Sequence, residues 1–564
     1  MHNREFQNAI RVNHRGFLNH SQKRFVLVDN ETGEPDFTVY LIRHVENIPV
    51  YSGTLEPVTL SEGTACFVGD FSPVTEDGDY FITAGGYTSR QFVIHNKAYD
   101  TCLRMMLEYY TWQRCGHALG WNGKCHLDDG YIVETGEHVD LSGGYHQSCD
   151  LRKSPGGVSI GVLGMLRFAL KDRSEWGELL TVDEAAWACD YYVKNIQQNG
   201  AMYNTLNAPF GWVGREFYQS PAPSSAQWNT TSILTTGYLL FKDRDPERAE
   251  RYLAAAKRSW DFMTGPLRPE GVYKHPAPFP RGMDPDYFYE QCSKDSTADL
   301  GYQMQVSADM YRATGEGKYL AHLRAAAQSF CALIGEGELA HLLLRNDGSN
   351  RSVMGGGTYA WLPGGFIALC DAYEMLGDFE GLGNTIRAVA DAVCTQAKSN
   401  VWHRIKALLT DADLDAPAKH PVPGVKQPTI RELDPNYVCY GTLDSGVRCY
   451  MNTSNATAAS VSASLGIFLV RSGKLLGEKR YVDMAQSFLD QLLGGNALDS
   501  SLIRAIGYNH AQHRAFGQFF PSTPFIPGAI GTAYSTMDVY KAHTEYDMPC
   551  VGLSMYLISE IASR

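Results

Sequence analysis

Strands first and helices afterwards: the 564-residue chain predicts a mainly α protein in which a small antiparallel β-sandwich precedes a long multi-helix domain. Three observations predict it. Short runs rich in Val, Ile, Phe and Tyr, cut by turn residues, fill the chain up to about Asn96. After Tyr99 the apolar spacing becomes helical. A helix–turn–helix unit then recurs along the second part.

The strand candidates are Lys23 to Asp29, Phe37 to Arg43, Gly78 to Thr83 and Gln91 to Ile94. Asn30-Glu31-Thr32-Gly33 supplies turn chemistry between the first two. Alternation in Phe37 to Arg43 gives one buried face, as in an immunoglobulin-like sandwich. The domain boundary falls at 97/98, leaving 98–564 to the helices. The clearest helix runs from Pro246 to Met263, with Asp245 as N-cap, Pro246 in the first turn, and Gly265-Pro266 as its stop. Ala249, Tyr252, Leu253, Ala256, Trp260 and Met263 share one face. Arg251-Tyr252, Lys318-Tyr319 and Arg480-Tyr481 each open such a unit, and Trp260, Phe330 and Phe488 follow on the same pattern. Helix pairs that each bury one face must pack on their neighbours, in a closed α/α barrel or an open solenoid; periodicity does not choose. Polar or Gly/Pro-rich segments at 114–160, 203–228, 266–295, 413–452 and 503–538 interrupt the helices. Segments this long in a compact domain carry function, so the expectation is a helical scaffold with a site on one rim.

Composition narrows the function classes. Hydrophobic residues make up 44% and charged residues 20%, as in an ordinary globular protein. A net charge of -13 disfavours nucleic acid and anionic membrane surfaces as partners. No uninterrupted apolar run reaches bilayer length. The start of the chain is polar, unlike a secretory signal, and 13 scattered cysteines do not form a disulfide framework. The expected location is therefore the cytoplasm.

Chemistry-bearing residues gather in three segments. The first holds Cys115, Cys125-His126 and Gly143-Gly144-Tyr145-His146-Gln147-Ser148-Cys149-Asp150; the second Gly494 to Ala497 and Gly507 to Arg514; the third Thr544-Glu545-Tyr546-Asp547. Two Cys and two His make a complete tetrahedral zinc set, although Cys-x9-Cys-His-x19-His is not a common zinc-finger spacing. Asp150 lies in a Gly-rich loop where backbone can approach a ligand closely. Glu545 lies in the C-terminal segment that also carries Asp547. A pair of carboxyl groups is what glycoside hydrolysis requires.

Taken in order, these motifs resemble family 9 glycoside hydrolases. The Gly143 to Asp150 stretch is similar to the family's base motif, Gly494 to Ala497 with His513-Arg514 to its sugar-binding segment, and Thr544 to Asp547, more loosely, to its acid motif. Arg11-Val12-Asn13-His14-Arg15-Gly16-Phe17 resembles the opening of the sandwich that precedes many family 9 barrels. The resemblance spans nearly the whole chain. It implies an (α/α)6 barrel after the sandwich, with Asp150 as catalytic base and Glu545 as catalytic acid in an inverting mechanism. It also implies a structural zinc on Cys115, Cys125, His126 and His146, and sugar contacts from His513 and Arg514. Tyr145, Tyr359, Trp361 and Tyr508 are added as aromatic or hydroxyl contacts to an oligosaccharide. The family's first motif Asp is Gln147 here, which can hold a water by hydrogen bonding but carries no charge. The expected activity is removal of a sugar from one end of a β-linked gluco-configured oligosaccharide, as by a β-glucosidase or exo-β-glucosaminidase. The alternatives are an endo-β-1,4-glucanase, a weakened sugar-binding protein, or an α/α-barrel lyase.

Overall fold

The computed structural model describes the chain except residues 1–6, 60–64, 119–123, 133–134, 149–152, 173–174, 206–216, 221, 223, 269–294, 296, 336–362, 399, 404–408, 416–427, 434–436, 443–447, 453–458, 511–524, 532–545 and 564. The chain forms two compact units, one of residues 1–109, 393–405 and 456–564, the other of 110–392 and 406–455.

In the first unit two sheets make the sandwich. One has strand order β1-β3-β7-β6 (Ile10–Arg11, Arg24–Leu27, Ala65–Asp70, Glu56–Thr59). The other runs β2-β10-β8-β4-β5 (Gly16–Phe17, Phe92–Ile94, Gly78–Ala84, Asp36–Leu41, Ile48–Thr54), with β9 (Tyr87–Thr88) beside β8. Phe17, Phe25, Phe37, Val39, Phe71, Tyr80, Ile82 and Phe92 fill the space between the sheets. The alternation in β4 and β8 puts every second residue there.

Twelve helices of at least 14 residues follow among the described residues. They are α1 (Asp100–Gln113), α2 (Pro155–Lys171), α3 (Glu175–Asn195), α4 (Ser224–Phe241), α5 (Pro246–Thr264), α6 (Thr297–Thr314), α7 (Gly317–Gly335), α8 (Pro363–Leu376), α9 (Leu382–Lys398), α10 (Ala459–Leu476), α11 (Lys479–Leu492) and α12 (Met548–Ala562). Short turns join α2 to α3, α4 to α5, α6 to α7, α8 to α9 and α10 to α11, whereas long segments lead into α2, α4, α6, α8, α10 and α12. The first helix of a pair is buried on nearly every side, as in α4, α6 and α10. The second, as in α5 and α11, buries one face. In the second unit α2 packs on α4, α4 on α6 and α6 on α8. The N-terminal ends of these neighbouring inner helices therefore share one rim of that unit.

Helix α5 runs one residue beyond its expected end: Asp245 accepts from the Arg248 N–H at 3.0 Å, and Gly265 caps the C-terminus. Tyr252, Tyr319 and Tyr481, the repeated aromatic of each unit, are fully buried. Helix α10 is long and apolar enough to cross a membrane by length and composition, but 83% of that window is buried within the protein. The sandwich is not a detached module. It shares its unit with the C-terminal helices, bound through residues such as Asn13, whose amide donates to Asp490 at 2.8 Å.

Candidate functional site

The metal-binding set assembles around the end of α1. After Gln113 the chain forms a short ladder with the Gly-rich loop: His146 N–H donates to the Gln113 carbonyl at 2.8 Å, Arg114 pairs with Tyr145, and Cys115 N–H donates to the Gly144 carbonyl at 2.9 Å. Cys115 and His146 are thereby neighbours. Cys125 and His126 come from the following loop, where His126 adopts a left-handed φ of 51°. Such a conformation costs on the order of 1 kcal/mol or more in a non-Gly residue and marks a constrained position. One ligand atom from each of the four side chains lies within 4.8 Å of the others, and Cys125 Sγ is 3.1 Å from His146 Nε2. Cys115, His126 and His146 are buried and Cys125 is half-buried. Burial pushes the Cys115 thiol well up, whereas the hydrogen bond from Cys115 and those of His126 and His146 outweigh burial and hold Cys125 well below the ordinary thiol range. Two sulfurs and two imidazoles within this radius fit a four-coordinate metal.

The Gly-rich loop is fastened from below by α3. Trp187 Nε1 donates to the Gly144 carbonyl at 3.0 Å, and Arg114 lies over the Trp187 ring while bonding Asp183 and Glu184. Tyr145 is fully buried, its hydroxyl donating to Glu184 Oε2 at 2.8 Å and its ring edge-on to Tyr110. This corrects the expectation for Tyr145: a ring with no exposed face cannot stack on a sugar, and it anchors the loop instead. Gln147 lies on the first turn of α2, where Ser154 caps Gly157 N–H; a Cβ on Gly157 would come within 2.2 Å of Gln147 Oε1.

Tyr508 is in the first unit and half exposed. Arg90 of the sandwich lies 4.6 Å from its ring centroid, and His14 meets it edge-on. Asp150, Glu545, Tyr359, Trp361, His513 and Arg514 lie outside the described residues.

Two buried constellations escaped the reading of the sequence. Asp499, fully buried, accepts from His14 Nε2 at 2.8 Å, Arg90 Nη2 at 2.9 Å and the Asn8 N–H at 2.9 Å, which gives the Arg11 to Phe17 segment a structural reason. In the second unit Lys153 and Asp129 form a buried ion pair, Nζ to Oδ2 at 2.5 Å. Neither has a sequence signal stronger than a charged residue close to a motif.

Comparison with known proteins gives this arrangement a family. The model for "Glycosyl hydrolase family 9" matches residues 99–518, and that for "Cellulase N-terminal ig-like domain" matches residues 5–89. The chain belongs to glycosyl hydrolase family 9. It is 23% identical over 343 residues to a cellodextrinase of Butyrivibrio fibrisolvens, covering 55% of this chain and 59% of that protein. It is likewise 23% identical over 363 residues to endoglucanase D of Acetivibrio thermocellus, covering 58% of this chain and 55% of that protein. The chain thus spans little more than half the length of these relatives. Among solved structures, a Bacteroides ovatus family 9 protein superposes with a TM-score of 0.68 at 16% identity, covering 98% of each chain. A Zn-binding triple mutant of the family 9 endoglucanase J30 gives 0.67 at 17% identity, covering 97% of this chain and 99% of that one. The fold of this family 9 chain is accordingly an (α/α)6 barrel preceded by an immunoglobulin-like sandwich.

Proposed function

We propose that this family 9 protein hydrolyses β-linked gluco-configured oligosaccharides with inversion of the anomeric carbon. The observation that carries the reading is the match of residues 99–518 to the family, which includes the Gly143 to Asp150 motif. Asp150 takes a proton from water as that water attacks the anomeric carbon, and Glu545 delivers a proton to the departing glycosidic oxygen. The bond breaks from the opposite face, so the product is inverted. Gln147, beside the N-terminus of α2, orients the water by hydrogen bonding. His513 and Arg514 donate to sugar hydroxyls, and Tyr359, Trp361 and Tyr508 contribute ring contacts.

Cys115, Cys125, His126 and His146 hold one zinc ion in this reading, supported by the convergence of their ligand atoms. A zinc with four protein ligands has no open position for water and supplies bracing rather than chemistry. Cleavage from the chain end and a cytoplasmic location are the finer parts of the proposal. Endo cleavage is the second reading, favoured by the name of the Acetivibrio relative.

The test is hydrolysis of aryl β-glycosides and cello-oligosaccharides by the purified protein, with the anomer followed by NMR. Inverted product and a carboxyl separation of roughly 6.5–9.5 Å between Asp150 and Glu545 are expected. Retained configuration overturns the inverting mechanism, and no product from any of these substrates overturns the hydrolase reading. A rapid fall in polymer viscosity overturns the exo mode in favour of the endo one.

A further inference from the structure

Tyr508 is half exposed, yet its place within the first unit is fixed from the sandwich side. Its backbone N–H donates to His14 Nδ1 at 3.2 Å, and the His14 ring meets the Tyr508 ring edge-on, with centroids 5.4 Å apart. Arg90 lies over the same ring. With Nδ1 accepting, the His14 ring proton is on Nε2, which donates to Asp499 Oδ1 at 2.8 Å. The imidazole is fully buried and lodged between two glycines. A Cβ on Gly494 would come within 2.3 Å of the ring, and one on Gly507 within 2.9 Å of Nδ1. Asp499 is shared: besides His14 it accepts from Arg90 through Nε and Nη2, from the Asn8 N–H and from Asn509 Nδ2, and Arg11 stands 3.9 Å away.

Three non-Gly residues of the turn that carries Tyr508, namely Asp499, Ala505 and Asn509, have left-handed φ of 51°, 65° and 55°. Such positions persist where the surroundings over-determine them, and they cluster at ligand clamps. Attaching a sandwich to helices does not call for a buried carboxylate, since well-packed apolar residues are often as stable. What His14 adds is one rigid ring that bonds both the carboxylate at the start of the turn and the backbone of the exposed tyrosine.

We propose that His14 is a positioning residue that sets the Tyr508 ring for contact with the sugar. The inference rests on Tyr508 as a sugar contact in the function proposed above. A ring contact of this kind acts on substrate binding and not on proton transfer, so its loss falls on KM.

The test uses the full-length protein and an aryl β-cellobioside, or the aryl β-glycoside that the wild type cleaves. His14→Gln keeps a donor near Nε2 for Asp499 and loses the acceptor for the Tyr508 N–H. His14→Asn keeps an acceptor near Nδ1 and loses the donor to Asp499. Each variant gives up one buried bond, so their Tm values are expected to fall by similar amounts. His14→Gln is expected to raise KM about 5- to 10-fold with kcat within about 2-fold, whereas His14→Asn stays within about 2-fold of the wild-type KM. Tyr508→Ala is expected to raise KM on the order of 10-fold, and adding His14→Gln to it should raise KM no further. Equal KM values for His14→Gln and His14→Asn overturn the proposal. So does a further rise in the Tyr508→Ala background, or a His14→Gln chain that does not fold, because His14 then only supports the fold. A raised KM in Tyr508→Ala beside a wild-type KM in His14→Gln sinks the positioning role alone. A wild-type KM in Tyr508→Ala sinks the sugar contact and the positioning role together, and a wild type that cleaves no aryl β-glycoside sinks both with the function beneath them.

Discussion

Asp490 is the group whose titration the structure allows to be worked through. It lies on α11, fully buried, where the sandwich meets the C-terminal helices of the first unit. Its Oδ1 accepts from Asn13 Nδ2 and from Gln486 Nε2, both at 2.8 Å. Oδ2 has no hydrogen-bond partner among the described residues. Asp490 also lines a cavity of about 20 Å³ with Arg11, Arg24, Trp402 and Ser487, large enough for one water. Burial pushes the carboxyl from 3.8 up to about 7, against the opposing pull of Asn13, Gln486 and Arg24. An acid whose pKa is raised on folding stabilises the native state least at high pH. The penalty is absent below 3.8, grows as the unfolded chain ionises while the folded one stays protonated, and levels off above about 7. It amounts to about 2 kcal/mol at pH 5 and about 4 kcal/mol at pH 8, as upper bounds. Asp490→Asn keeps one accepting oxygen, replaces the other by an amide that cannot ionise, and removes the penalty. The variant should melt higher than wild type, by a margin that widens from pH 5 to pH 8 and then stops growing. Thermal melts of both proteins at half-unit intervals check this, the difference between them cancelling every other titrating group. A margin independent of pH, or a variant that melts lower at pH 8, refutes the assignment of a protonated Asp490.

Three further outcomes are expected. Purified protein should carry about one zinc per chain, as expected for a closed four-ligand site, and stripping it should lower Tm and activity together; elemental analysis with melts before and after chelation decides. Gly157→Ala should gain helix propensity of up to about 1 kcal/mol yet lower kcat several-fold, because the new methyl displaces Gln147; kcat and Tm measured together show whether the two part company. Gln147→Asp should change kcat modestly, whereas Asp150→Asn should lower it by about 10²–10⁴-fold on the same substrate.

What could be read from the sequence follows the range of the forces involved. β4 and β8 were visible because alternation is a local consequence of having one buried face. β5 to β7 were not. β5 is an exposed edge strand interrupted by Pro49 and Gly53, so neither propensity nor alternation marks it. Helix α5 announces itself by caps and a single apolar face, but α4 opens with Ser224-Ser225-Ala226-Gln227 and is buried on nearly all sides. Its polar first turn reads as loop, because its burial is imposed by the neighbouring helices α2, α5 and α6. The metal set was legible because few residue types bind zinc. Tyr145 was misread, since the Glu184 that claims its hydroxyl lies 39 residues away. The Lys153–Asp129 pair was missed for the same reason, its partners being 24 residues apart with no motif joining them.

The place of Gln147 bears on how the proposed hydrolysis runs without the family's first Asp. The side-chain oxygen at 147 rests on the N-terminal turn of α2, where partial positive charge favours an acceptor whether or not it is ionised. Exchanging Asp for Gln there preserves the accepting oxygen and removes a unit of negative charge three residues from the proposed base. A like charge nearby raises the pKa of a carboxylate, so an Asp restored at 147 is expected to raise that of the proposed base. The substitution is therefore expected to act on the pH profile more than on the maximal rate. Restoring the acid by Gln147→Asp should move the acidic limb of kcat/KM to higher pH while the plateau changes little. A plateau that instead rises 10²-fold or more, with the limb in place, would show that the missing carboxylate had been limiting proton removal from water. In that case the neutral amide would have to be counted as a loss of catalytic power.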